Sequence, residues 1–268
     1  MISKIGITGH SGSLGTLVTK NKKNIKYSYF KGNIKNKMQI NSWLKKSKPR
    51  AIIHLAAIVP IKEVNKNKLE AYKTNFLGTK NLVDACLKNN IKWFFFSSTS
   101  HVYSSSKKKI SETTRIYPCS YYGKTKILAE NYIKRKLKNK IKFSIGRIFS
   151  TTNKNQKKNY LIPDLKRKAD LKKKCVLENL NHYRDFISME DTAKIIHLLY
   201  KKQYTGIINI GLGKPVLLKD IAKIIFRKKN KKVIFKDNKK PSFLIANNKK
   251  LKKILNFKLQ SSLIKMIY

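Results

Sequence analysis

Residues 120–126 read SYYGKTK, two phenols followed closely by an amine. On a helix, side chains three or four positions apart share a face, so Tyr122 stands with Lys126 and Tyr121 with Thr125. An ammonium held beside a phenol favours the phenolate, one way to make a general base from a group that ordinarily titrates near ~10. The same spacing also fits an ordinary surface pair. What precedes and follows in the chain decides between them.

A second candidate site lies near the start, where residues 8–15 read TGHSGSLG after a short apolar run. Gly9, Gly12 and Gly15 are each separated by two residues. The first suits a tight turn, the second lets a pyrophosphate approach the backbone, and the third lets a helix pack close to the strand. Ser11, Ser13 and Leu14 lie among them, where the start of a helix offers N–H groups to phosphate. An acidic residue normally follows about 20 positions later to grip the ribose hydroxyls. Here that zone reads YFKGNIKN, with Lys31 and Asn33 and no carboxylate. Lys31 could attract a 2′-phosphate, which sets NADP slightly ahead of NAD, although it is also one lysine among many.

These residues need a scaffold. The runs KIGITG (4–9), IKYSYF (25–30), RAIIHLAA (50–57), KWFFFSS (92–98) and KFSIGRI (142–148) read as buried strands. Between them, INSWLKKS, TNFLGTKNLVDACLKNN and SYYGKTKILAENYIKRKLKNK carry helical periodicity. Alternating strand and helix predicts an α/β fold, a Rossmann-type doubly wound parallel sheet. Such sheets bind ligands at the carboxyl ends of their strands. Residues 1–150 would form the dinucleotide-binding domain. Residues 151–268 would form a smaller α/β substrate-binding region, with about 184–212 returning to the first domain. There TTNKNQKKN reads as a polar loop, LIPDLKRKADLKKK as a helix, and KPSFLIANNKKLKKILNFK as a tail ending in a short helix.

A chain of 268 residues has room for one large or two joined domains. With 41% hydrophobic and 10% aromatic residues it is no disordered polyelectrolyte. No apolar run approaches the roughly 20 residues that span a bilayer, and MISKIGITGHSG lacks the features of a signal peptide. Cys86, Cys119 and Cys175 are too scattered for a disulfide framework or a zinc site, so no metal is expected and a reducing cytoplasm fits. The formal net charge of +49 would attract polyanions. Yet the lysines run along the whole chain beside many Asn and Ile, as AT-rich codon bias would produce. Specific nucleic-acid binding is not expected, and self-repulsion should make the fold sensitive to low salt.

Further stretches fall into order: HLAA (54–57), Asn75 within KTNFLGTKNLVDAC, SSTSHVY (97–103), then YYGKTK. With TGHSGSLG in front, the set resembles the extended short-chain dehydrogenases, the NAD-dependent epimerase/dehydratase family acting on nucleotide sugars. RDFISMEDTA (184–193) and NIGLGKPVLLKDIA (209–222) continue the likeness over nearly the whole chain. It implies a nucleotide-sugar substrate and a product feeding surface polysaccharide assembly. It also implies a homodimer, for which stretches 71–90 and 121–138 are the candidates.

In the family's Tyr-x-x-x-Lys motif the tyrosine precedes a glycine, which implies Tyr122 as base and Lys126 as its partner. Tyr121 would line the pocket or pack. Lys126 and a positively charged nicotinamide are expected to draw the Tyr122 phenol towards neutrality, a shift of ~3 units or about 4 kcal/mol. The phenolate would then take a proton from a sugar hydroxyl while hydride leaves the same carbon. Thr99 holds the family's Ser/Thr position, with its hydroxyl expected on the reacting oxygen. Leu55, Ala56, Ala57 and Asn75 would border the cofactor, Asn75 more as a structural element than a participant. Asn159 of NYLIP would touch the nucleotide, and Arg184 of RDFI would meet its diphosphate. Arg147 reads as architectural, and Asp185 and Asp191 as partners of nearby basic groups.

Sugar 4,6-dehydratases of the family carry Asp-Glu after the Thr99 position. Here Ser100 and His101 stand there, so that reaction is disfavoured. His101 could serve as an acid/base near pH 7 or sit satisfied in the pocket wall. The chain also departs from the family in its shortened segment between second and third strands, in Ser104, and in a short C-terminal region. The reading that results is a 4-epimerase, with a one-way 4-keto reductase as runner-up. A non-catalytic dinucleotide- or nucleic-acid-binding protein is the alternative of another class.

Overall fold

The computed structural model describes residues 3–20, 25–59, 61–154, 156, 160–171, 174–260 and 262–268. Its first half runs β1 (Ser3–Thr8), α1 (Ser13–Lys20), β2 (Ile25–Tyr29), α2 (Lys37–Ser47), β3 (Ala51–His54), α3 (Ile61–Lys66) and α4 (Lys68–Tyr72). One π-helical turn, Lys73–Leu77, then leads into α5 (Gly78–Leu87), β4 (Trp93–Thr99), a 3-10 turn (Ser100–Val102), α6 (Tyr121–Leu137) and β5 (Lys142–Ile148). The five strand regions and three helices expected here from apolar patterning are present. The short α3 and α4 were not foreseen.

The second half runs β6 (Ser150–Thr152), α7 (Leu161–Leu171), β7 (Lys174–Glu178), β8 (Tyr183–Arg184), β9 (Phe186–Ser188), α8 (Met189–Lys201) and β10 (Gly206–Ile210). It ends with β11 (Val216–Leu217), α9 (Leu218–Lys228), β12 (Lys232–Lys236), β13 (Phe243–Leu244), α10 (Lys249–Ile254) and α11 (Leu263–Ile267).

Six parallel strands form the central sheet in the order β10-β5-β4-β3-β1-β2. Helices cover both faces, so the inner strands need no polar side. Trp93, Phe94, Phe95 and Phe96 of β4 are all fully buried, two towards each layer. Apolar residues of α2, α5 and α6 pack on one face, and those of α1 and α8 on the other. The chain leaves β1 in one direction to β2 and later in the other to β3, which makes β1/β3 the switch point where such sheets open a crevice.

Outside this unit, β11, β8 and β13 form a small sheet, β12 pairs with β7, and α7 and α9 share a separate core. Asp185 joins the two regions. Its carboxylate accepts from the backbone N–H of Leu212 (2.9 Å), Gly213 (2.7 Å) and Ala246 (3.1 Å). This corrects the expectation that Asp185 pairs with a basic side chain. Three amides from two loops satisfy it instead. Asp191 does face an amine, Lys194, at 3.8 Å.

Arg147 is architectural, as its place on a strand suggested. It meets Glu130 at 2.7 Å and donates to the Tyr103 hydroxyl at 2.7 Å, while Tyr103 donates to Asn209 at 2.9 Å. Ser98 also donates to Glu130. This buried network ties β4, β5, β10 and α6 together beneath the site. Among the described residues, no helix is long and apolar enough to cross a membrane, and no group of three His, Cys, Asp or Glu could hold a metal ion.

Candidate active site

The glycine turn closes β1 and opens α1. Gly9 has φ +72°, and a Cβ there would lie 2.6 Å from the Ala56 nitrogen. A Cβ on Gly15 would lie 2.1 Å from the Gly9 carbonyl oxygen. Both positions are therefore closed to any other residue. Gly12 differs, since its added Cβ would meet only the Gly9 carbonyl, at 3.3 Å. The backbone at Gly12 thus offers a bare approach, next to α1, whose first amides have no partner within the helix. A pyrophosphate fits such a cradle.

The rim beyond the turn carries Lys31 and Asn33, both exposed. Asn33 is engaged locally, taking a bond from Lys35 N and giving its own N–H to Gln39. His10, which the sequence reading passed over, packs its ring 5.0 Å from that of Tyr29.

Leu55, Ala56 and Ala57 follow β3 and border the turn. Beneath them a buried polar chain runs in one direction. Thr79 donates to the Asn75 carbonyl (2.7 Å), so it must accept from His54 Nε2 (2.9 Å). His54 Nδ1 then accepts from Thr8 (2.6 Å), whose oxygen receives the Ala56 N–H (3.3 Å). Burial, then the nearby charge of Lys126, push His54 down to about 3, so it stays neutral. Asn75 continues the chain. It holds both backbone groups of Ile58 and donates to Thr125 at 3.3 Å, and Thr125 donates to the Tyr122 carbonyl. Asn75 is thus a clamp between the loop after β3 and α6.

Ser120 caps α6 by accepting the Gly123 N–H. One turn in, Tyr122 and Lys126 are 7% and 2% exposed, with the Lys126 ammonium 5.8 Å from the Tyr122 ring centroid. Lys126 donates to the Ser97 carbonyl at 2.8 Å and lies 4.6 Å over the Phe96 ring. Burial lowers its pKa to about 7, although Glu130 opposes the change. The Tyr122 phenol moves the other way. Burial pushes it up, and the neighbouring phenol of Tyr160 adds to the rise. Among the protein's own groups desolvation outweighs Lys126, while the lowering expected from the sequence also counts the positive charge of a bound nicotinamide.

Thr99 ends β4, 6% exposed, and accepts the His101 N–H at 3.2 Å. That bond uses an oxygen lone pair and leaves the hydroxyl proton free to donate. His101 Nδ1 lies 3.3 Å from Ser120 Oγ and 3.4 Å from Cys119 Sγ. Burial, then Arg184, lower its pKa to about 4. The imidazole is therefore neutral at pH 7, and it lines the pocket wall with its ring 6.2 Å from that of Tyr122.

Next to it opens a cavity of about 560 Å³, lined among others by Lys68, His101, Cys119, Tyr121, Arg184 and Ser242. Arg184 donates to the carbonyls of Tyr183 and Ser242 and to the Ser242 hydroxyl, all neutral oxygens. No carboxylate among the described residues pairs with it, which suits an anion. Asn159, the other expected substrate contact, lies outside the described residues.

A nucleotide cradle at a switch point, a buried Tyr–Lys pair one helical turn apart and an anion-ready cavity together define the dehydrogenase class that the motifs suggested. The profile of the NAD dependent epimerase/dehydratase family matches residues 5–211, and the chain belongs to that family. It is 29% identical over 226 residues to the GDP-6-deoxy-D-talose 4-dehydrogenase of Aggregatibacter actinomycetemcomitans, covering 78% of this chain and 74% of that enzyme. Matches to UDP-glucose 4-epimerases of Rhizobium leguminosarum bv. trifolii and Rhizobium meliloti span only 31% and 32% of those enzymes. The fold is that of the Thermus thermophilus UDP-glucose 4-epimerase complex with NAD, at a TM-score of 0.88 and 16% identity over 98% and 96% of the two chains. The RMD protein of Pseudomonas aeruginosa complexed with NADPH aligns at a TM-score of 0.89 and 16% identity, over 99% and 96%.

Proposed function

We propose that this chain oxidises and reduces a carbon of a nucleotide-linked sugar, with Tyr122 as the proton-transferring base. The observation that carries the reading is the buried Tyr122–Lys126 pair on α6, with the Tyr122 ring 6.2 Å from that of His101 in the wall of the Arg184 cavity. A bound nicotinamide dinucleotide supplies the two-electron acceptor, and the backbone of Gly9–Gly15 and Lys126 are the groups that would hold it. Thr99 donates its free hydroxyl proton to the substrate oxygen and keeps it in reach of Tyr122. Lys126 supplies positive charge against the phenolate. Arg184 takes the diphosphate through its planar fork. Burial holds His101 neutral, so it orients rather than protonates.

The first reading of the reaction is 4-epimerisation. A one-way 4-keto reduction is the second, favoured by the talose 4-dehydrogenase relative. NADP is placed slightly ahead of NAD because Lys31 replaces a ribose-binding carboxylate.

The test screens UDP-, GDP- and dTDP-sugars with either dinucleotide, following nicotinamide absorbance and product stereochemistry. Epimerisation leaves the absorbance unchanged over many turnovers, whereas reduction consumes the cofactor in step with product. Turnover by Tyr122→Phe equal to that of the wild type would remove the proposal.

A further inference from the structure

At the amino ends of the sheet strands, opposite the active site, the topology gathers charge that looks evenly spread in the sequence. Four helix-to-strand connections meet there: α2–β3, α5–β4, α6–β5 and α8–β10. The first three each carry two Lys or Arg, and the fourth carries Lys202 directly after Lys201 at the end of α8. None of the four carries an acidic residue. The nearest acid along the chain, Asp84 in α5, is held by Lys80 at 3.1 Å and by Tyr132.

Within this face the cations stand in register. Lys26 pairs with Lys4 across β2 and β1. Arg50 N bonds the Lys4 carbonyl and Lys92 N the Arg50 carbonyl, at 3.0 and 2.8 Å. Neighbouring strands lie about 4.8 Å apart, so four like charges occupy a row of roughly 15 Å. Like charges directly opposite one another destabilise a sheet. The negative ends of the helix dipoles at this end offset only part of that, about half a charge each. The chain keeps the repulsion although it has 13 acidic residues to place.

We propose that this face docks on an anionic lipid bilayer. The array is two-dimensional, with loops from helices on both sides of the sheet flanking the central row, which suits a planar field of headgroups. Single-stranded nucleic acid would call for exposed aromatic platforms. Trp93 at this end is fully buried and its indole N–H is bound to the Tyr204 carbonyl. Docked this way, the Arg184 cavity at the carboxyl end of the sheet faces the solution and stays open to soluble substrate. The proposal is independent of which reaction the site performs.

The experiment is co-sedimentation with phosphatidylcholine vesicles containing about 30 mol% phosphatidylglycerol, at about 0.15 M salt. The wild type is compared with R50Q/K88Q/K92Q/K138Q/K202Q. A control, K107Q/K108Q/K109Q/K239Q/K240Q, removes five charges that are equally exposed but lie on other loops. Each cation near an anionic surface is worth about fivefold in partitioning, so the first variant should lose at least about a hundredfold and the control less than about fivefold. Melting of the control unchanged, and of the first variant no lower than wild type as its relieved repulsion predicts, shows that folding is not what is read. Equal losses in the two variants, no wild-type binding to these vesicles, or tighter binding to single-stranded RNA with the same variant dependence would each overturn it.

Discussion

Gly123 lies against the His101 carbonyl so closely that a Cβ would come within 2.0 Å of its oxygen. The helix bearing Tyr122 can therefore approach the turn after β4 only where a side chain is missing, and the spacing of Thr99 from Tyr122 rests on that approach. Gly123→Ala must push α6 off the turn. Overpacking of this kind costs about 1–3 kcal/mol. Urea unfolding should show that loss, together with a fall in turnover larger than the lost folded fraction explains.

Tyr122→Phe removes one hydroxyl from a packed position and should leave the melting temperature within a few degrees of wild type. Turnover should drop by about 10²–10⁴-fold, the usual worth of a positioned general base. Dinucleotide affinity, read by fluorescence titration, should change little. A variant retaining more than about a tenth of wild-type turnover would assign the base elsewhere.

Glu130 and Arg147 are 0% and 2% exposed and bonded through both carboxylate oxygens. Removing one partner strands the other charge. Glu130→Ala should destabilise by about 3–5 kcal/mol, whereas Glu130→Ala combined with Arg147→Met should recover part of that. Chemical denaturation of both variants measures the difference, and a double variant no more stable than the single would contradict the account.

Acid should unfold the protein through His54. Its pKa is near 6.5 unfolded and about 3 folded, so between these values the unfolded chain binds the extra proton. The contribution is complete above pH 6.5 and falls away as pH drops towards 3, by about 1.4 kcal/mol per pH unit. Urea unfolding from pH 7 to pH 5 should show a decline that is shallower in His54→Gln, the part due to His101 remaining. An identical slope in that variant would exclude His54 as the cause.

The sequence made the scaffold legible where burial forces a simple pattern. Phe94–Phe96 could hardly be anything but a strand covered on both sides, and Tyr122 and Lys126 share a helix face by arithmetic. It did not disclose features that depend on partners far apart in the chain. The His54 relay joins residues 8, 54, 75, 79 and 125, and no local signal announces it. The β7–β12 pair escaped because KCVLE and KVIFK each offer only three apolar residues between charged ones, inside lysine-rich stretches. The rise that burial gives the Tyr122 phenol could not be read either, because a facing amine is visible in sequence and the degree of enclosure is not.

The Arg184 guanidinium, held by three neutral oxygens and bonded to no carboxylate among the described residues, has a practical consequence. A molecule that brings negative charge into this cleft relieves a desolvated cation and tightens the whole fold, by about 2.7 kcal/mol at a hundred times its dissociation constant. Heat resistance itself then reports on occupancy, and a panel of sugar nucleotides can be ranked by melting curves before any catalytic assay exists.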